Sequence, residues 1–381
     1  MRENNTLNKK ILVVCTTDSM IWNFLIPHIE FWQYKGLKIT CVCSKTGFYF
    51  EELQAKHGLS LIEIPFSRSP YKLKNIKCLV QLRNIISSQN FDLIICQEPV
   101  GGLMGRLAGI GKSAKVIYTA HGFHFYKNAP LLNWLIYYPV EKILSYFTDI
   151  LITTNNEDYH RSLKFHAKQT VKLDGVGINL SKFTNNSTTR INKRKELFLN
   201  ETDQVVFTAA ELIPRKNYEV ALRSFKKIAT ENTYFVICGV GSEEKKLKHL
   251  VNKLHIDKNV KFLGFRKDLH ELYRIADVFF FPSLQEGLSV ALLGAMASGL
   301  PVICSNIRGN VDLIDDKMGG YLYNSNDEVG FSKGLSKLLG DVQLSQSMGN
   351  YNATTVKKFE IIKIINDFYS IVEGSLKNDE M

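Results

Sequence analysis

The feature that most constrains this 381-residue chain is an alternation of short β-branched runs with helical patterns, carried through once, interrupted, and carried through again. In the first half the runs are "KILVVCTT", "KITCVCS", "LSLIEIPF", "DLIICQE", "AKVIYTAHG" and "DILITTN", with helical patterns through "MIWNFLIPHIEFWQYKG" and "LKNIKCLVQLRNIISSQ". Strand alternating with helix at this spacing predicts a doubly wound parallel sheet, because parallel neighbours need a crossover segment between them. The passage "LDGVGINLSKFTNNSTTRINKRKE" has no apolar period and reads as a linker, after which the alternation restarts at "QVVFTAAEL" and runs through "TYFVICGVG", "NVKFLGF" and "VFFFPS" to "VICS". The chain is longer than one hydrophobic core usually supports. The expected architecture is therefore α/β, with two Rossmann-like domains facing each other across a cleft lined by strand C-terminal ends. The expected boundaries are 1–183 for the first domain and 184–355 for the second, with 356–381 as a helix returning to the first. Phe359, Ile362, Ile365, Phe368 and Ile371 give that last helix one apolar stripe.

Composition removes several classes of protein. No run of about 20 apolar residues is present to span a bilayer, and the polar start "MRENNTLNKK" leads into a strand instead of a signal-peptide core. A cytoplasmic location is expected. The seven cysteines lie in apolar runs and read as buried free thiols, with no CxxC pair or His/Cys cluster to suggest a metal or a disulfide framework. The net charge of +11 is uneven: residues 1–183 hold 22 Lys and Arg against 13 Asp and Glu, whereas residues 184–381 hold 26 against 24. A basic first half points to an anionic partner, either a membrane surface or a phosphorylated substrate. The bland alternative is a merely soluble basic surface. No nucleic-acid-binding pattern accompanies the charge, so nucleic acid is not expected.

Three features of the second half suit one phosphate-bearing ligand. "CGVGSEE" sets Gly239 and Gly241 between a strand and a helix, where backbone amides can approach an anion, although a simple tight turn reads the same way. "ELIPRKN" puts Arg215 and Lys216 in the turn after the first strand of that half, as diphosphate partners or as a solvated helix start. In "QEGLSVALL", Glu286 and Gly287 precede a helix whose first amides suit a phosphate, and Glu286 beside such a site reads as a ligand for sugar hydroxyls. Gly294 stands in the middle of that helix, where it costs about 1 kcal/mol relative to alanine.

The blocks "TAHGFHFYKNAPLLNWLIYYPVEKILSYFTDILITTNNEDY", "GVGINLSKF", "AELIPRKN", "ICGVGSEEKKLKHL", "VKFLGFRKDLHELYRIADVFFFPSLQEGLSVALLGAMASGLPVI" and "IRGNVDLI" cover nearly the whole chain. Through them it resembles the family 4 glycosyltransferases of the GT-B fold, in the branch that builds bacterial exopolysaccharide and capsule. The resemblance implies that Lys216, with Arg215, holds the donor diphosphate, that Glu286 bonds the donor sugar, and that the amides of Leu288 and Ser289 meet the distal phosphate. Gly264, Phe265 and Arg266 are then expected against the nucleobase, and His121 is expected to reach the donor sugar across the cleft. His121, Glu286 and Lys216 are the implied catalytic set. His124 reads as packed or solvent-facing, and the aromatic segment Leu131 to Phe147 as a buried helix. The implied reaction is a retaining transfer in which the leaving diphosphate helps deprotonate the acceptor, needing no cofactor and no metal. The donor is expected to be a UDP-hexose or UDP-N-acetylhexosamine. The acceptor is expected to be a polyprenyl-diphosphate-linked saccharide at the inner face of the cell membrane. Arg68, Lys72, Lys74 and Lys77 would meet that anionic surface, making the protein peripheral to it.

One departure stands out from the resemblance. The family carries a second glutamate eight positions after the first, as a ribose ligand, and here that position is Gly294. An active enzyme that holds ribose another way, for instance through water in the vacated space, competes with an impaired variant and with a non-catalytic sugar-nucleotide-binding homologue. A GT-B sugar-nucleotide epimerase matches these blocks less well.

Overall fold

A computed structural model describes residues 8–47, 49–183 and 187–377. The polar residues 1–7 and residues 184–186 of the expected linker lie outside that range. The first unit is a seven-stranded sheet of β1 (Lys10–Thr17), β2 (Lys38–Ser44), β3 (Ser60–Glu63), β4 (Leu93–Gln97), β5 (Lys115–Ala120), β6 (Ile150–Thr153) and β7 (Gln169–Lys172). It is ordered β3-β2-β1-β4-β5-β6-β7 and every pairing is parallel. Both faces are covered, so the central strands are apolar throughout: all five residues of β4 are buried. Helices α1 (Lys74–Gln89), α2 (Pro99–Gly109) and α3 (Leu131–Leu144) follow β3, β4 and β5 in turn. Cys78, Leu82, Val100, Met104 and Leu144 are buried on them, most of them in the core that also takes Tyr118 and Phe125.

The second unit has six parallel strands, β8 (Gln204–Ala209), β9 (Thr233–Cys238), β10 (Val260–Phe262), β11 (Val278–Phe281), β12 (Val302–Ser305) and β13 (Gly320–Tyr323), ordered β10-β9-β8-β11-β12-β13. In each sheet the order reverses beside its first strand, between β1 and β4 and between β8 and β11, which opens a crevice at the strand C-termini. All seven cysteines are buried and free, as their apolar settings imply.

The chain divides differently from the sequence expectation. One unit comprises Met1–Gly177 with Ile362–Met381, and the other Ile178–Ile361. Residues 178–183 belong to the second unit because the Ile178 amide donates to the Phe359 carbonyl and the Ile361 amide to the Ile178 carbonyl, both at 2.9 Å. Phe183 also packs on Tyr273 there. Val356 and Phe359 are buried in the same core, so only from Ile362 onward does the chain join the first unit.

The expected linker contains helix α4 (Ser187–Glu196). Its anchor is ionic: Arg194 is 1% exposed and donates to the carbonyls of Ile275, Asn200, Glu201 and Asp203 while pairing with Asp277. A search for apolar period cannot see such a helix. Helix α5 (Val290–Ala297) follows β11, and helix α6 (Ile361–Lys377) ends the described chain. Helix α6 buries Ile364, Ile365, Phe368, Val372 and Leu376, whereas Ile362 is 65% exposed. The inward face is thus rotated from the expected stripe. Phe368 fixes the docking by meeting Trp32 edge-on at 5.1 Å and His28 at 5.6 Å.

His28 is buried, with Nε2 3.2 Å from the Val176 carbonyl, and burial pulls its pKa down to about 4. Below the ordinary histidine value of about 6.5 the unfolded chain binds a proton that the folded unit refuses, so stability is complete above that pH and falls on acidification. Between pH 7 and 5 the loss from this one side chain is about 2 kcal/mol. Chemical denaturation of His28→Phe at the two pH values is expected to show that much less pH dependence than the parent chain.

Candidate functional site

The crevice at the β8/β11 reversal collects the charged residues of the second unit. After β8 the chain makes a single turn, Pro214–Lys216, closed by Asn217 in the left-handed region at φ 59°. Asn217 Nδ2 donates to the carbonyls of Pro282 and Ser325 at 3.0 and 2.7 Å, and the Leu284 amide donates to the Arg215 carbonyl at 2.8 Å. These bonds tie the turn after β8 to the loop after β11 and, through Ser325, to the chain beyond β13. They bring Lys216 Nζ to 2.6 Å from Glu286 Oε1, above the Phe281 ring at 4.8 Å, with both charged groups buried. Arg215 lies at the rim, 3.7 Å from the same carboxylate oxygen and 3.3 Å from the Gln285 carbonyl. Burial lowers the Lys216 pKa below the ordinary lysine value, Glu286 acts against that by favouring the ammonium form, and Arg215 adds a smaller push downward. The result is a desolvated ammonium–carboxylate pair with a second cation at its open edge.

Arg308, which the sequence reading did not single out, supports this pair from below. It is 6% exposed and its Nε donates to the Glu286 carbonyl at 3.0 Å, holding the loop that carries the carboxylate. Its place just beyond β12, at a strand C-terminus, was the available signal. Ser289 caps α5, its hydroxyl accepting from the Leu292 amide at 3.3 Å, so the helix begins immediately after Glu286, Gly287 and Leu288. That places the positive end of α5 beside the carboxylate.

Gly239 and Gly241 have a steric role. A Cβ on Gly239, whose φ is 150°, would stand 1.9 Å from the Ala210 carbonyl oxygen, and one on Gly241 2.3 Å from that of Leu212. The Gly239 amide already donates to the Gly264 carbonyl at 2.9 Å, so it does not serve as the expected anion donor. What the two glycines allow is close packing of the turn after β9 on the turn that delivers Lys216. Beyond β10, Gly264 is left-handed with open space around it, and Phe265 is 62% exposed. Arg266 is held away from an open role: it makes 2.6 Å contacts with both Glu196 and Asp268.

Gly294 is buried, and the Tyr273 ring lies against it. A Cβ there would meet the Tyr273 ring at 2.7 Å and its hydroxyl at 2.8 Å. Tyr273 is 4% exposed, packs edge-on against Phe207 at 5.3 Å, and donates its hydroxyl proton to the Ala291 carbonyl at 2.9 Å. The glycine is thus the other half of a packed pair. The ring stands where the first carbon of a side chain at this position would lie.

In the first unit, His121 follows β5, with Nε2 2.7 Å from Gln97 Oε1, and burial pulls its pKa down to about 4. The imidazole is neutral near pH 7; with Nε2–H donating to Gln97, Nδ1 is left as an acceptor. At the β1/β4 reversal stands a second residue missed in the sequence, Glu98. Its backbone is left-handed at φ 64°, its Oε2 accepts from the Thr16 amide at 3.0 Å, and burial raises its pKa while nearby Arg68 opposes the rise. A non-glycine residue held at such a φ is a mark of functional sites in general. Lys72, Lys74 and Lys77 are exposed at the start of α1. His124 stacks on Tyr137 at 4.7 Å. The segment Leu131 to Phe147 departs from the buried helix expected of it: Leu131, Leu132 and Leu135 are 73%, 63% and 65% exposed.

The sequence matches two family descriptions, glycosyl transferase 4-like over residues 10–155 and glycosyl transferases group 1 over residues 189–355. It is 32% identical over 381 residues to EpsD of Bacillus subtilis strain 168, assigned as a glycosyltransferase, covering 98% of both chains. It is 29% identical to the Escherichia coli UDP-Gal:α-D-GlcNAc-diphosphoundecaprenol α-1,3-galactosyltransferase, over 90% of this chain and 89% of that one. Among solved structures, Anabaena HepE in complex with UDP and glucose superposes with a TM-score of 0.81 at 16% identity, covering 96% of this chain and all of the other. At that identity the likeness speaks for the fold, which is GT-B.

The Gly294–Tyr273 contact makes a simple exchange unfavourable. Alanine at 294 gains about 1 kcal/mol of helix propensity but overpacks the ring at a cost of about 1–3 kcal/mol. Thermal unfolding of Gly294→Ala is expected to show a lower midpoint than the parent; a higher one would mean that Tyr273 yields freely.

Proposed function

Because this chain belongs to the group 1, family 4 glycosyltransferases, we propose that it moves a hexose or N-acetylhexosamine from a UDP-sugar to a polyprenyl-diphosphate-linked saccharide, with retention at the anomeric carbon. The product would enter exopolysaccharide or capsule. The observation that carries this reading is the buried Lys216–Glu286 pair with Arg215 at its rim, set at the β8/β11 reversal. Such a site offers positive charge to a diphosphate and a carboxylate to hydroxyls in one place. Lys216 and the first amides of α5 would stabilise the charge that develops on the departing UDP, and a desolvated cation does this more strongly than one in water. Glu286 keeps Oε2 for a donor-sugar hydroxyl. Leu288 and Ser289 would present amides to the distal phosphate, and the exposed ring of Phe265 would meet the base.

His121 is assigned as a neutral hydrogen-bonding partner of the donor sugar, and Glu98 with Arg68 as contacts for the acceptor. Support for the lipid-linked acceptor comes from the Escherichia coli relative, whose acceptor is a diphosphoundecaprenol-linked GlcNAc. The exposed Lys72, Lys74 and Lys77 suit the anionic inner surface of the cell membrane, where such acceptors lie. Gly294 favours one competing reading, a homologue that binds sugar nucleotides without turnover, since the carboxylate that the family carries there is missing.

Calorimetric titration of UDP, GDP and ADP, followed by transfer assays with UDP-sugars, separates the two. UDP is expected to bind tightest, and Lys216→Gln to weaken it about tenfold or more, equivalent to at least ~1.4 kcal/mol. Binding without transfer or donor hydrolysis by any UDP-sugar would establish the non-catalytic reading, and no nucleotide binding at all would defeat both. With His121 neutral down to about pH 4, kcat/KM is expected to show no inflection from this residue near pH 6.5.

A further inference from the structure

Resting on the reading of His121 as a partner of the donor sugar, we infer that Gln97 is its positioning residue: the Gln97 side-chain carbonyl holds His121 as the Nε2–H tautomer, so that Nδ1 stands as a bare acceptor and the group it meets on the sugar is a hydroxyl. The register of the sheet brings the two residues together. Gln97 ends β4 and lies opposite Thr119 of β5. Side chains alternate along a strand, so His121, two positions beyond Thr119, projects from the same face. The Gln97 amide spans both: its Oε1 is 2.7 Å from His121 Nε2, and its Nε2 donates to the Thr119 hydroxyl at 3.4 Å. Gln97 and Thr119 are both buried, which shuts the amide away from solvent. The 2.7 Å separation suits a ring N–H on a carbonyl oxygen; the reverse arrangement would set two nitrogens at that distance. The next residue, Glu98, has its backbone at φ 64° and sends its carboxylate the other way, to the Thr16 amide of β1. Since β4 lies between β1 and β5, successive side chains at its end serve the two neighbouring strands.

His28 shows what a purely structural histidine looks like in the same unit. Its Nδ1 is sealed from solvent without a partner, and its ring packs against Trp32 and Phe368. His121 is half-buried, its Nδ1 is not sealed in this way, and Gln97 is its one hydrogen-bond partner among the described residues. What surrounds the imidazole is uncharged in effect. Burial alone lowers its pKa, and the carboxylates of the adjoining loops are bonded elsewhere, Glu98 to the Thr16 amide and Asp158 to the Phe123 amide and Asn155 Nδ2. A neutral imidazole has one N–H and one lone pair, and the bond made by one nitrogen decides the state of the other. With the proton committed to Gln97, the lone pair on Nδ1 is what remains for a ligand. It attracts an O–H and repels a carboxylate or an ether oxygen. An amide at position 97 is suited to this task because a carboxylate there would favour the imidazolium and turn Nδ1 into a donor.

The test uses the full-length protein labelled with nitrogen-15 histidine, because protonated and bare ring nitrogens differ widely in chemical shift; His121→Asn identifies the His121 signals by their loss. Between pH 5.5 and 8 the parent is expected to show Nε2 protonated, Nδ1 bare and no titration. An Nδ1–H form or an imidazolium would overturn the proposal. Gln97→Met keeps the bulk of the side chain and removes its carbonyl. His121 is then expected to become a mixture of tautomers, with the other histidine signals unchanged as a control for folding, and an unaltered tautomer in this variant would count against Gln97. Gln97→Glu is expected to keep Nε2 protonated but to raise the His121 pKa into the same pH range. Calorimetry with UDP-glucose, UDP-galactose and UDP-N-acetylglucosamine, each compared with UDP, reads the affinity that the sugar adds. In Gln97→Glu that increment is expected to be present above the new pKa and to fall about tenfold as the pH drops through it, while in the parent it holds steady. A sugar increment indifferent to the titration would overturn the hydroxyl contact. Failure of the parent to bind UDP at all would defeat the transferase reading and the sugar contact with it, whereas the tautomer is measured without any ligand and stands or falls separately.

Discussion

In the second unit the whole candidate site hangs on a backbone tie across the sheet reversal, the Leu284 amide bonded to the Arg215 carbonyl. Two strands adjacent in the sheet but far apart in sequence leave their C-terminal loops side by side, and this bond with the one from Asn217 to the Pro282 carbonyl fixes the loops relative to one another. Lys216 can then be buried without being stranded, because its carboxylate partner arrives from the opposite loop. A buried ion pair is weak evidence for stability, since desolvation consumes much of the attraction. Its persistence here is better understood through the geometry it holds: an ammonium and a carboxylate kept at a crevice wall, each with capacity left for a ligand.

The glycines around the crevice belong to the same constraint. Gly239 and Gly241 were legible as a phosphate motif, yet their backbone is engaged in packing one turn on another. Their contribution is indirect, through the placement of the turn that carries Lys216. Gly294 follows the same logic on the far side, where Tyr273 takes the room that a side chain would need. Sequence comparison sees a carboxylate missing; the structure shows an aromatic ring present.

Much of the architecture was readable because both sheets are parallel and covered on two faces, which writes their strands as apolar runs separated by helices. The pairing of Arg215, Lys216 and Glu286 was readable too, because strand C-terminal ends in such a sheet converge. What escaped notice has a common cause. Helix α4 docks through Arg190 and Arg194 on Asp277, so its inward face is charged and no apolar period announces it. Arg308 supports the pair through a carbonyl, and Glu98, in the first unit, is held by an amide and a left-handed backbone; neither leaves a compositional trace. Helix α3 misled in the opposite sense, for an apolar sequence suggested burial on all sides where only one side is buried.

Beneath α3, Glu141 meets the buried Arg106 at 2.8 Å. Apolar packing alone would let a helix with two apolar faces roll, because neither face is strongly preferred. An ionic contact on one face removes that freedom by making a single orientation much better than the rest. The helix is therefore keyed in rotation by a single buried charge pair, and removing either partner would loosen its orientation while leaving the other charge stranded.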